Sequence, residues 1–479
     1  MAVGYTYVMN GVRYQHAYLV GIGGINMSAV AKLLKKEGIS VSGSDAAESL
    51  LTRELAALGI PVAIGHAATN LPANTDVLIY TSAVPETNPE RMEATRRKIP
   101  QLTNFEFLGE WTKEMQTVLV TGTHGKSTTT AMLSLMLLEG KKDPSVIVGS
   151  RVPFFSEGNI RFGTGNLYVI EGDEYARHFL AFHPYGLIIN NIELDHTDIF
   201  PNLQALEDTF RELLRQVREN GFVIANADDP NVETLVGEER ESLEARGIHI
   251  IKFGFGAHAN VGVADYASRP GEQVFVLRDV RGTMTRMSLL VPGKMNVMNA
   301  AAAAAMATHL GVSVEDVRLA LETYRGIWRR FELVGEKDDV TVISDYGHHP
   351  TAVRVNLDAS KSFYPGRRII LCYQPHHRNR TKALFDDFIP AFDKADAVVL
   401  VEIYDVAGRD AEEDRVVSSR DLQEAILKHD ADRKVNRPIE YVASPADALA
   451  LLKRWRKPND LIIVMGAGDI YQIADKVLS

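Results

Sequence analysis

Cysteine, long apolar runs and basic blocks are scarce in this sequence, and each scarcity excludes a class of protein. The chain has one cysteine in 479 residues, Cys372, which cannot form an internal disulfide and suits a reducing compartment. Runs of about 18 apolar residues, which a membrane-spanning helix needs, are absent, and the first residues lack the order of a secretion signal. We therefore expect a cytoplasmic protein without a membrane partner.

The charge balance argues against a nucleic-acid partner. The formal net charge is −10 at pH 7, and no long block of Lys and Arg occurs. Small anions remain possible ligands, because helix N-termini and single cations attract them whatever the net charge. We therefore expect small-molecule ligands and no nucleic acid.

The chain predicts three consecutive α/β domains, because short apolar strands alternate with helical stretches and a single core does not grow to this length. We expect a Rossmann-like domain at 1–115, a central domain with a mostly parallel sheet at 116–326, and a Rossmann-like domain at 327–479. A helix is expected at 29–37 and another around the alanines at 300–305. Strands are predicted at 17–20, 39–41, 77–80, 167–170, 186–189, 340–343, 368–371, 397–401 and 461–464.

The segment from Val118 to Thr130 is the most informative feature of the chain. It reads V-L-V-T-G-T-H-G-K-S-T-T-T, an apolar strand followed by a glycine turn, a lysine and hydroxyls. Such a turn points backbone N–H groups at one spot, the next helix adds its positive end, Lys126 adds a cation, and a hydroxyl can bind Mg²⁺. It is a shortened variant of the common phosphate loop. An ordinary turn with a surface lysine is the less favoured alternative.

A second glycine cluster, G-I-G-G at 21–24, follows the first predicted strand. Asp45 lies where an acidic residue would meet a ribose, but the third glycine of a dinucleotide fingerprint is replaced by Asn26. We interpret the cluster as a phosphate-binding turn that could seat the diphosphate of a nucleotide-sugar. A nicotinamide-dependent oxidoreductase and a purely structural turn are the alternatives.

Acidic residues follow two strands of the central section. E-G-D-E begins at Glu171, and N-N-I-E-L-D-H ends at His196. Ligands gather at the carboxyl ends of parallel strands, and Mg²⁺ prefers hard oxygen ligands beside a triphosphate. The pattern predicts a metal-assisted phosphoryl-transfer site, although a single histidine is more often structural.

The C-terminal section carries D-Y-G-H-H-P from Asp345 and Q-P-H-H-R-N-R-T from Gln374, each after an apolar strand. Neighbouring histidines in a regular strand face opposite sides, so we expect at most one of each pair to contact a ligand. Arg380 could grip a carboxylate with two hydrogen bonds, or be a surface residue without a role. Zinc is not favoured, since cysteines and an H-x-x-x-H spacing are missing.

Taken together, these segments resemble the Mur ligase family, the ATP-dependent amide-forming enzymes of peptidoglycan precursor synthesis. The resemblance covers nearly the whole chain, and the order of the motifs makes it specific. The segments that carry it are G-I-G-G-I-N-M-S, G-S-D, G-T-H-G-K-S-T-T-T, E-G-D-E, N-N-I-E-L-D-H, G-K-M-N-V-M-N-A, R-R-F, D-Y-G-H-H-P-T, Q-P-H-H-R-N-R-T and G-A-G-D-I.

The resemblance implies ATP and Mg²⁺ as cofactors and assigns residues to four sites in a monomer or weak homodimer. The UDP-sugar would meet Gly21, Gly23, Gly24, Ser28, Asp45 and Ser82. ATP would meet Gly122, Thr123, His124, Gly125, Lys126, Ser127, Thr128, Asn296, Asn299, Arg329, Arg330 and Asp345. The metal would meet Ser127, Glu171 and His196, and the amino acid Tyr346, His348, His376 and Arg380. The implied catalytic residues are Lys126, Glu171, His196, His348 and Arg380.

Within the family, the motifs favour a member that joins L-alanine to UDP-N-acetylmuramate through an acyl-phosphate, with closure of the domains about hinges at 112–117 and 325–330. Three departures leave a ligase that re-attaches a recycled tripeptide as the alternative. Tyr175 stands where a serine is usual, His377 where an arginine is usual, and Met295 where a histidine is usual. An ATPase that drives a partner's motion is a further alternative from another class.

Overall fold

The computed structural model describes residues 8–9, 12–256, 258–405 and 417–479. The first described elements are two short strands, β1 (Val8–Met9) and β2 (Val12–Arg13), which pair antiparallel. Three larger sheets follow along the chain, each with helices packed against it. Among the described residues, none of the helices is both long enough and apolar enough to cross a membrane.

The first large sheet has five parallel strands in the order β5-β4-β3-β6-β7. The strands are β3 (His16–Val20), β4 (Ser40–Asp45), β5 (Val62–Ile64), β6 (Val77–Tyr80) and β7 (Gln101–Thr103). The helices are α1 (Ile25–Lys36), α2 (Leu50–Ala57), α3 (Pro89–Arg96) and α4 (Asn104–Trp111), with a 3₁₀ turn at Ala68–Asn70. This is the Rossmann-like arrangement expected from the sequence.

The central sheet has ten strands in the order β10-β9-β11-β8-β12-β13-β14-β15-β16-β17. It is parallel from β9 to β15, and antiparallel strands extend both edges. The strands are β8 (Gln116–Thr121), β9 (Ser145–Ile147), β10 (Ile160–Arg161), β11 (Leu167–Glu171), β12 (Gly186–Ile189), β13 (Phe222–Asn226), β14 (His249–Gly254), β15 (Val261–Arg269), β16 (Glu272–Arg278) and β17 (Met284–Leu289). The helices are α5 (Lys126–Glu139), α6 (Leu203–Gln216), α7 (Pro230–Ala245), α8 (Lys294–His309) and α9 (Val314–Thr323), with a 3₁₀ turn at Tyr175–Ala181.

The C-terminal sheet has six strands in the order β18-β19-β23-β20-β21-β22, parallel except for β18. The strands are β18 (Glu332–Lys337), β19 (Val340–Asp345), β20 (Arg368–Tyr373), β21 (Ala397–Val401), β22 (Ile439–Val442) and β23 (Asp460–Met465). The helices are α10 (Pro350–Phe363), α11 (Arg378–Ala383), α12 (Phe385–Ala391), α13 (Ser419–Asp432) and α14 (Pro445–Trp455). Two 3₁₀ turns, Ile470–Ile473 and Asp475–Leu478, end the chain.

The central strands are buried on both faces, which explains their continuous apolar sequences. Val118, Leu119 and Val120 of β8 are fully buried, as parallel strands covered by helices must be. The alanines of α8 are buried as well, and α8 packs against α5 beneath the phosphate-loop turn. Small side chains allow this close approach of the two helices. The helix expected around 300–305 is therefore confirmed, with packing as its cause.

The predicted fold class is confirmed, and the predicted strands are present. Three of them, at 77–80, 186–189 and 397–401, coincide with the structure, and the others, including 167–170, differ at one or both ends. The predicted helix at 29–37 was placed too late, since α1 begins at Ile25 directly after Gly24. Met27 and Ser28 are buried by the neighbouring domain, so packing outside the local sequence decides where this helix starts.

We predict that Ile188→Ala in β12 lowers the free energy of unfolding of the central domain by about 2–5 kcal/mol, because it leaves a cavity among fully buried side chains. Val280→Ala is the control, since Val280 is 57% exposed in the turn before β17 and its truncation should cost less than about 0.5 kcal/mol. Urea denaturation followed by circular dichroism measures both. Equal midpoints for the two variants would contradict the burial of β12.

Candidate active site

The carboxyl ends of the three sheets meet at one cleft of about 1000 Å³. Residues from all three domains line it, as expected for ligands that gather at the ends of parallel strands. The predicted site residues in its wall are Gly24, Ser82, Thr123, His124, Gly125, Lys126, Thr128, Glu171, His196, Asn296, Asn299, Arg329, Arg330, Asp345, Tyr346, His348, His376 and Arg380. The predicted residues outside this lining are Gly21, Gly23, Ser28, Asp45, Gly122 and Ser127.

The loop between β8 and α5 depends on two glycines. Gly122 has a φ of +126° and Gly125 a φ of +83°, which side chains rarely tolerate. A Cβ on Gly125 would lie 2.3 Å from the Asn299 Oδ1 atom of α8. Among the described residues, no side chain caps the first turn of α5. The positive end of this helix therefore faces the cleft, ready for an anion.

Lys126 lies folded back over the loop. Its Nζ atom donates to the carbonyl of Gly122 at 2.8 Å and to the carboxylate of Glu174 at 2.8 and 3.0 Å. Burial works against the charge of Lys126, but Glu174 and Asp173 outweigh burial and raise its pKa. The lysine is therefore a cation held at the mouth of the loop, where an incoming phosphate would replace one of its partners.

Ser127 and Glu171 place oxygen atoms beside the first turn of α5. The Ser127 hydroxyl donates to Glu171 Oε1 at 2.9 Å, and the N–H of Gly149 donates to Glu171 Oε2 at 2.7 Å. A hydroxyl and a carboxylate next to a phosphate loop are hard oxygen donors of the kind that Mg²⁺ prefers. These residues therefore fit a magnesium ion shared with a nucleotide.

His196 has different acidic neighbours from those predicted. The ligand atoms of His196, Asp173 and Glu174 lie within 4.8 Å of one another, and His196 Nε2 is 3.5 Å from Glu174 Oε1. Burial disfavours the protonated ring, but Asp195 and Glu174 outweigh burial and raise the pKa of His196. His196 thus lies beside the carboxylates around Lys126.

Asp195 joins the central domain to the C-terminal one. Its Oδ1 accepts a hydrogen bond from Arg380 Nε at 2.7 Å, and its Oδ2 lies 3.3 Å from His348 Nε2. Burial opposes ionisation of Asp195, but Arg380, His196 and His348 hold its pKa well below the usual range. The carboxylate is therefore ionised and holds two of the predicted amino-acid-binding residues in place.

His348 is neutral and has one ring nitrogen available. Burial and the nearby Arg380 charge lower the pKa of His348 to about 3. Because Nε2 faces the Asp195 carboxylate, we assign the ring hydrogen to Nε2. Within the described chain, the buried Nδ1 atom has no hydrogen-bond partner. The ring can therefore accept a hydrogen bond from a ligand at Nδ1.

Arg329 and Arg330 differ in their surroundings. Arg329 donates to the carbonyls of Gly466 and Gly468 and lies over the rings of Tyr346 and Tyr471, so it stabilises its own domain. Arg330 Nη2 instead lies 3.4 Å from Ser127 Oγ. Arg330 therefore reaches the phosphate loop from the C-terminal domain.

Asp345 and the two asparagines of α8 complete the predicted nucleotide set. Asp345 accepts the backbone N–H groups of Phe331 and Gly347, both at 2.7 Å, and burial raises its pKa against the effect of Arg330. Asn299 Nδ2 donates to Asn296 Oδ1 at 3.1 Å. These polar side chains lie in the cleft wall beside the loop.

Asp45 holds the N-terminal glycine turn at 21–24 in place. Its carboxylate accepts a hydrogen bond from the N–H of Gly23 at 2.8 Å. Ser28 is fully buried and accepts a hydrogen bond from Asn159 Nδ2 of the central domain at 3.0 Å. Lys32 Nζ contacts Asn159 Oδ1 at 3.1 Å. In this arrangement Ser28 fixes α1 against the central domain, while Gly24 and Ser82 face the cleft.

The expectation that at most one histidine of each pair contacts a ligand stays a prediction, but its premise fails, because the pairs do not lie in regular strands. His348 follows β19 in a loop and His349 is the N-cap of α10, while His377 is the N-cap of α11 with a φ of +66°. All four rings line the cleft. The rings of His376 and Tyr404 are stacked, with centroids 5.8 Å apart.

Four carboxylates were missing from the predicted site although their motifs had been noticed. Asp173, Glu174, Glu193 and Asp195 are in E-G-D-E and N-N-I-E-L-D-H, and all four line the cleft. Their clustering after parallel strands was the available signal. The three departures from the family pattern, Tyr175, Met295 and His377, line the same cleft.

Comparison with known families agrees with this geometry. Three family models match: a Mur ligase catalytic domain at 16–115, a Mur ligase middle domain at 120–307, and a Mur ligase glutamate ligase domain at 329–468.

Curated relatives match over almost the entire chain. A UDP-N-acetylmuramate–L-alanine ligase from Acetivibrio thermocellus is 37% identical over 98% of this chain and 97% of its own. A protein of the same name from Salinibacter ruber is 38% identical over 97% of this chain and 94% of its own.

Solved structures of Mur ligases are also similar to this chain over nearly its whole length. A UDP-N-acetylmuramate–alanine ligase from Thermotoga maritima superposes with a TM-score of 0.80 at 28% identity and covers 97% of this chain and 98% of its own. A murein peptide ligase from Psychrobacter arcticus shares the fold, with a TM-score of 0.71, 23% identity and coverage of 97% and 98%.

We predict that Gly125→Ala lowers the affinity for a non-hydrolysable ATP analogue at least tenfold, because its Cβ would collide with Asn299 and its φ is left-handed. Gly237→Ala is the matched control, since a Cβ at this position of α7 meets open space. The control should bind normally and be more stable by up to about 1 kcal/mol. Calorimetric titration measures binding, and equal affinities for both variants would remove the loop from the nucleotide site.

Proposed function

The chain belongs to the Mur ligase family and is an ATP-dependent ligase that forms amide bonds, and we propose how its residues carry out that reaction. The bond joins L-alanine to the lactyl carboxylate of UDP-N-acetylmuramate, with release of ADP and phosphate. One observation carries the proposal. The glycine loop with Lys126, the acidic strand ends with Glu171 and Asp195, and Arg380 of the C-terminal domain all face one cleft.

The first step activates the sugar acid. A lactyl carboxylate oxygen attacks the γ-phosphorus of ATP, and the bond from that phosphorus to the ADP oxygen breaks, which yields an acyl-phosphate and ADP. Lys126 neutralises charge on the transferring group when it exchanges Glu174 for phosphate oxygens. We propose that Mg²⁺ is held by Ser127, Glu171 and His196, where it would supply charge neutralisation for the phosphates.

The second step forms the amide bond. The neutral amino group of L-alanine attacks the acyl carbon, the bond to the phosphate oxygen breaks, and the amine proton leaves with the phosphate as hydrogen phosphate. We propose that Arg380 binds the alanine carboxylate, while the free Nδ1 of His348 accepts a hydrogen bond from the amino group. Tyr346 and His376 form the remaining wall of this pocket. Holding three reactants together contributes up to about 7–11 kcal/mol to lowering the barrier.

We propose the following division of labour among the domains. Residues 1–115 bind the UDP-sugar through the glycine turn and Ser82, residues 116–326 bind ATP, and residues 327–479 bind the amino acid. Closure about hinges at 112–117 and 325–330 brings the C-terminal domain onto the central domain. This closure keeps water from the acyl-phosphate. Since one chain supplies every part of the cleft, we propose the monomer, or a weak homodimer, as the working form, in the cytoplasm.

The ligation of a tripeptide is the competing reaction within the family. Tyr175 favours it, because its ring lies in the cleft against His196, with ring centroids 4.9 Å apart. The relatives named as alanine-adding enzymes favour L-alanine. An oxidoreductase is not supported, since Asp45 is engaged by the N–H of Gly23 and the phosphate loop would have no role.

The decisive experiment measures phosphate release from ATP with UDP-N-acetylmuramate and one of four acceptors: L-alanine, glycine, L-serine or the tripeptide. We expect release to need all three substrates and to be fastest with L-alanine, with a product mass higher by one alanine residue. Release without the sugar nucleotide would indicate an ATPase instead. A preference for the tripeptide would establish the recycling reaction.

We predict that Lys126→Met lowers kcat by about 10³-fold or more, because it removes a cation that acts on the transferring phosphoryl group. It also leaves buried Glu174 without its nearest cation, so the single variant should be less stable. The double variant Lys126→Met/Glu174→Gln removes both charges. It therefore separates the loss of catalysis from the loss of stability. It should regain thermal stability and stay inactive, whereas near-normal ligation by either variant would contradict the role of Lys126.

A further inference from the structure

Glu193 lies between the phosphate loop and the C-terminal domain. Its backbone is tied to the loop, since the Thr123 hydroxyl donates to the carbonyl of Glu193 and accepts its N–H, both at 2.9 Å. Its carboxylate Oε2 lies 2.7 Å from His124 Nε2 of the same loop. Glu193 therefore follows any movement of the loop.

The same carboxylate reaches the C-terminal domain. Oε1 accepts a hydrogen bond from the Thr351 hydroxyl at 2.7 Å, and His349 Nδ1 lies 3.8 Å from Oε2. Thr351 and His349 form the start of α10, which follows directly on the loop that holds His348. We call this set of five residues, Thr123, His124, Glu193, His349 and Thr351, the Glu193 junction.

Glu193 keeps its negative charge at assay pH, which suits a polar contact between two domains. Burial works against the charge, but the hydrogen bond from His124 and the charge of His349 outweigh burial and lower the pKa of Glu193 to about 2. The carboxylate is thus ionised at any pH used for assays. Its 39% exposed side chain keeps the contact weak enough to form and break as the domains move.

A bound metal is a less economical explanation of the cluster, although His124, Glu193 and His349 place ligand atoms within 4.8 Å of one another. His349 Nδ1 already accepts the N–H of Thr351 as the N-cap of α10, and His124 Nε2 already pairs with Glu193. These nitrogens are already engaged in hydrogen bonds, each within its own domain.

We propose that Glu193 is a positioning residue that links occupation of the phosphate loop to docking of the amino-acid-binding part of the C-terminal domain. The inference rests on the proposed function, which assigns ATP to the loop and L-alanine to Arg380 and His348. Nucleotide binding orders the loop and with it Thr123 and His124. The ordered Glu193 carboxylate then accepts the hydrogen bond from the Thr351 hydroxyl. This bond fixes the start of α10, two residues beyond His348.

The test compares Thr351→Val with Thr351→Ser. Valine keeps the shape of the side chain and removes the hydroxyl, while serine keeps the hydroxyl. Spin labels on Glu241→Cys of α7 and Lys428→Cys of α13, both exposed positions, report the distance between the central and C-terminal domains. Cys372 stays unlabelled because it is fully buried and burial raises the pKa of its thiol to about 12.

In the parent protein and in Thr351→Ser, we expect a non-hydrolysable ATP analogue with magnesium to narrow the distance distribution. In Thr351→Val, the analogue should bind with unchanged Kd and leave the distribution broad. The KM for L-alanine should rise about five- to tenfold in Thr351→Val, with kcat changed less than about threefold, as expected for the loss of one partly exposed hydrogen bond. Glu193→Gln, which also weakens the His124 contact, should broaden the distribution further.

Narrowing in Thr351→Val equal to that of the parent would overturn the proposal, and so would equal impairment of Thr351→Ser and Thr351→Val. A mere loss of melting temperature, with the analogue-dependent distance unchanged, would also contradict it. The distance measurement does not depend on which amino acid is ligated. Failure of L-alanine as a substrate would therefore refute the proposed function while the distances still decide the role of Glu193.

Discussion

The ion pair between Arg380 and Asp195 is the contact on which the arrangement of the cleft depends. Its members come from different domains, and their side chains are only 7% and 4% exposed. Removal of either charge would leave the other buried and unpaired, at a cost of about 3–5 kcal/mol. The pair therefore keeps the C-terminal sheet docked over the phosphate loop, and it sets the tautomer of His348 on the same carboxylate.

The cleft contains a second buried ion pair. Lys126 and Glu174 lie inside the central domain, and His196 lies between the two pairs, near Glu174 on one side and Arg380 on the other. Charges of opposite sign thus alternate across a space that water reaches poorly, where each interaction is stronger than at the surface. Ligands that replace one member of a pair must bring the same charge to the same place.

Much of the fold could be predicted from the sequence, because strands buried on both faces read as continuous apolar runs and their polar ends mark the ligand edge. The hydrogen-bond and ion-pair partners of the site residues could not be predicted from the sequence. Lys126 meets Glu174 directly before the chain enters a 3₁₀ turn with left-handed φ at Ala176 and Arg177, and periodicity does not reveal this turn. The surroundings of the paired histidines could not be predicted either, because the pairs lie in loops and at helix N-termini and not in regular strands.

The carboxylates around Lys126 also have a consequence for the order in which charges enter and leave. Glu171, Asp173 and Glu174 face the mouth of the loop, so a bare anion meets repulsion there before it meets the lysine. A polyphosphate that arrives with its own divalent cation does not meet this repulsion, because the cation offsets its charge. If the loop binds ATP as proposed, we expect the acidic rim to favour the metal complex over the free nucleotide and to hasten the departure of inorganic phosphate.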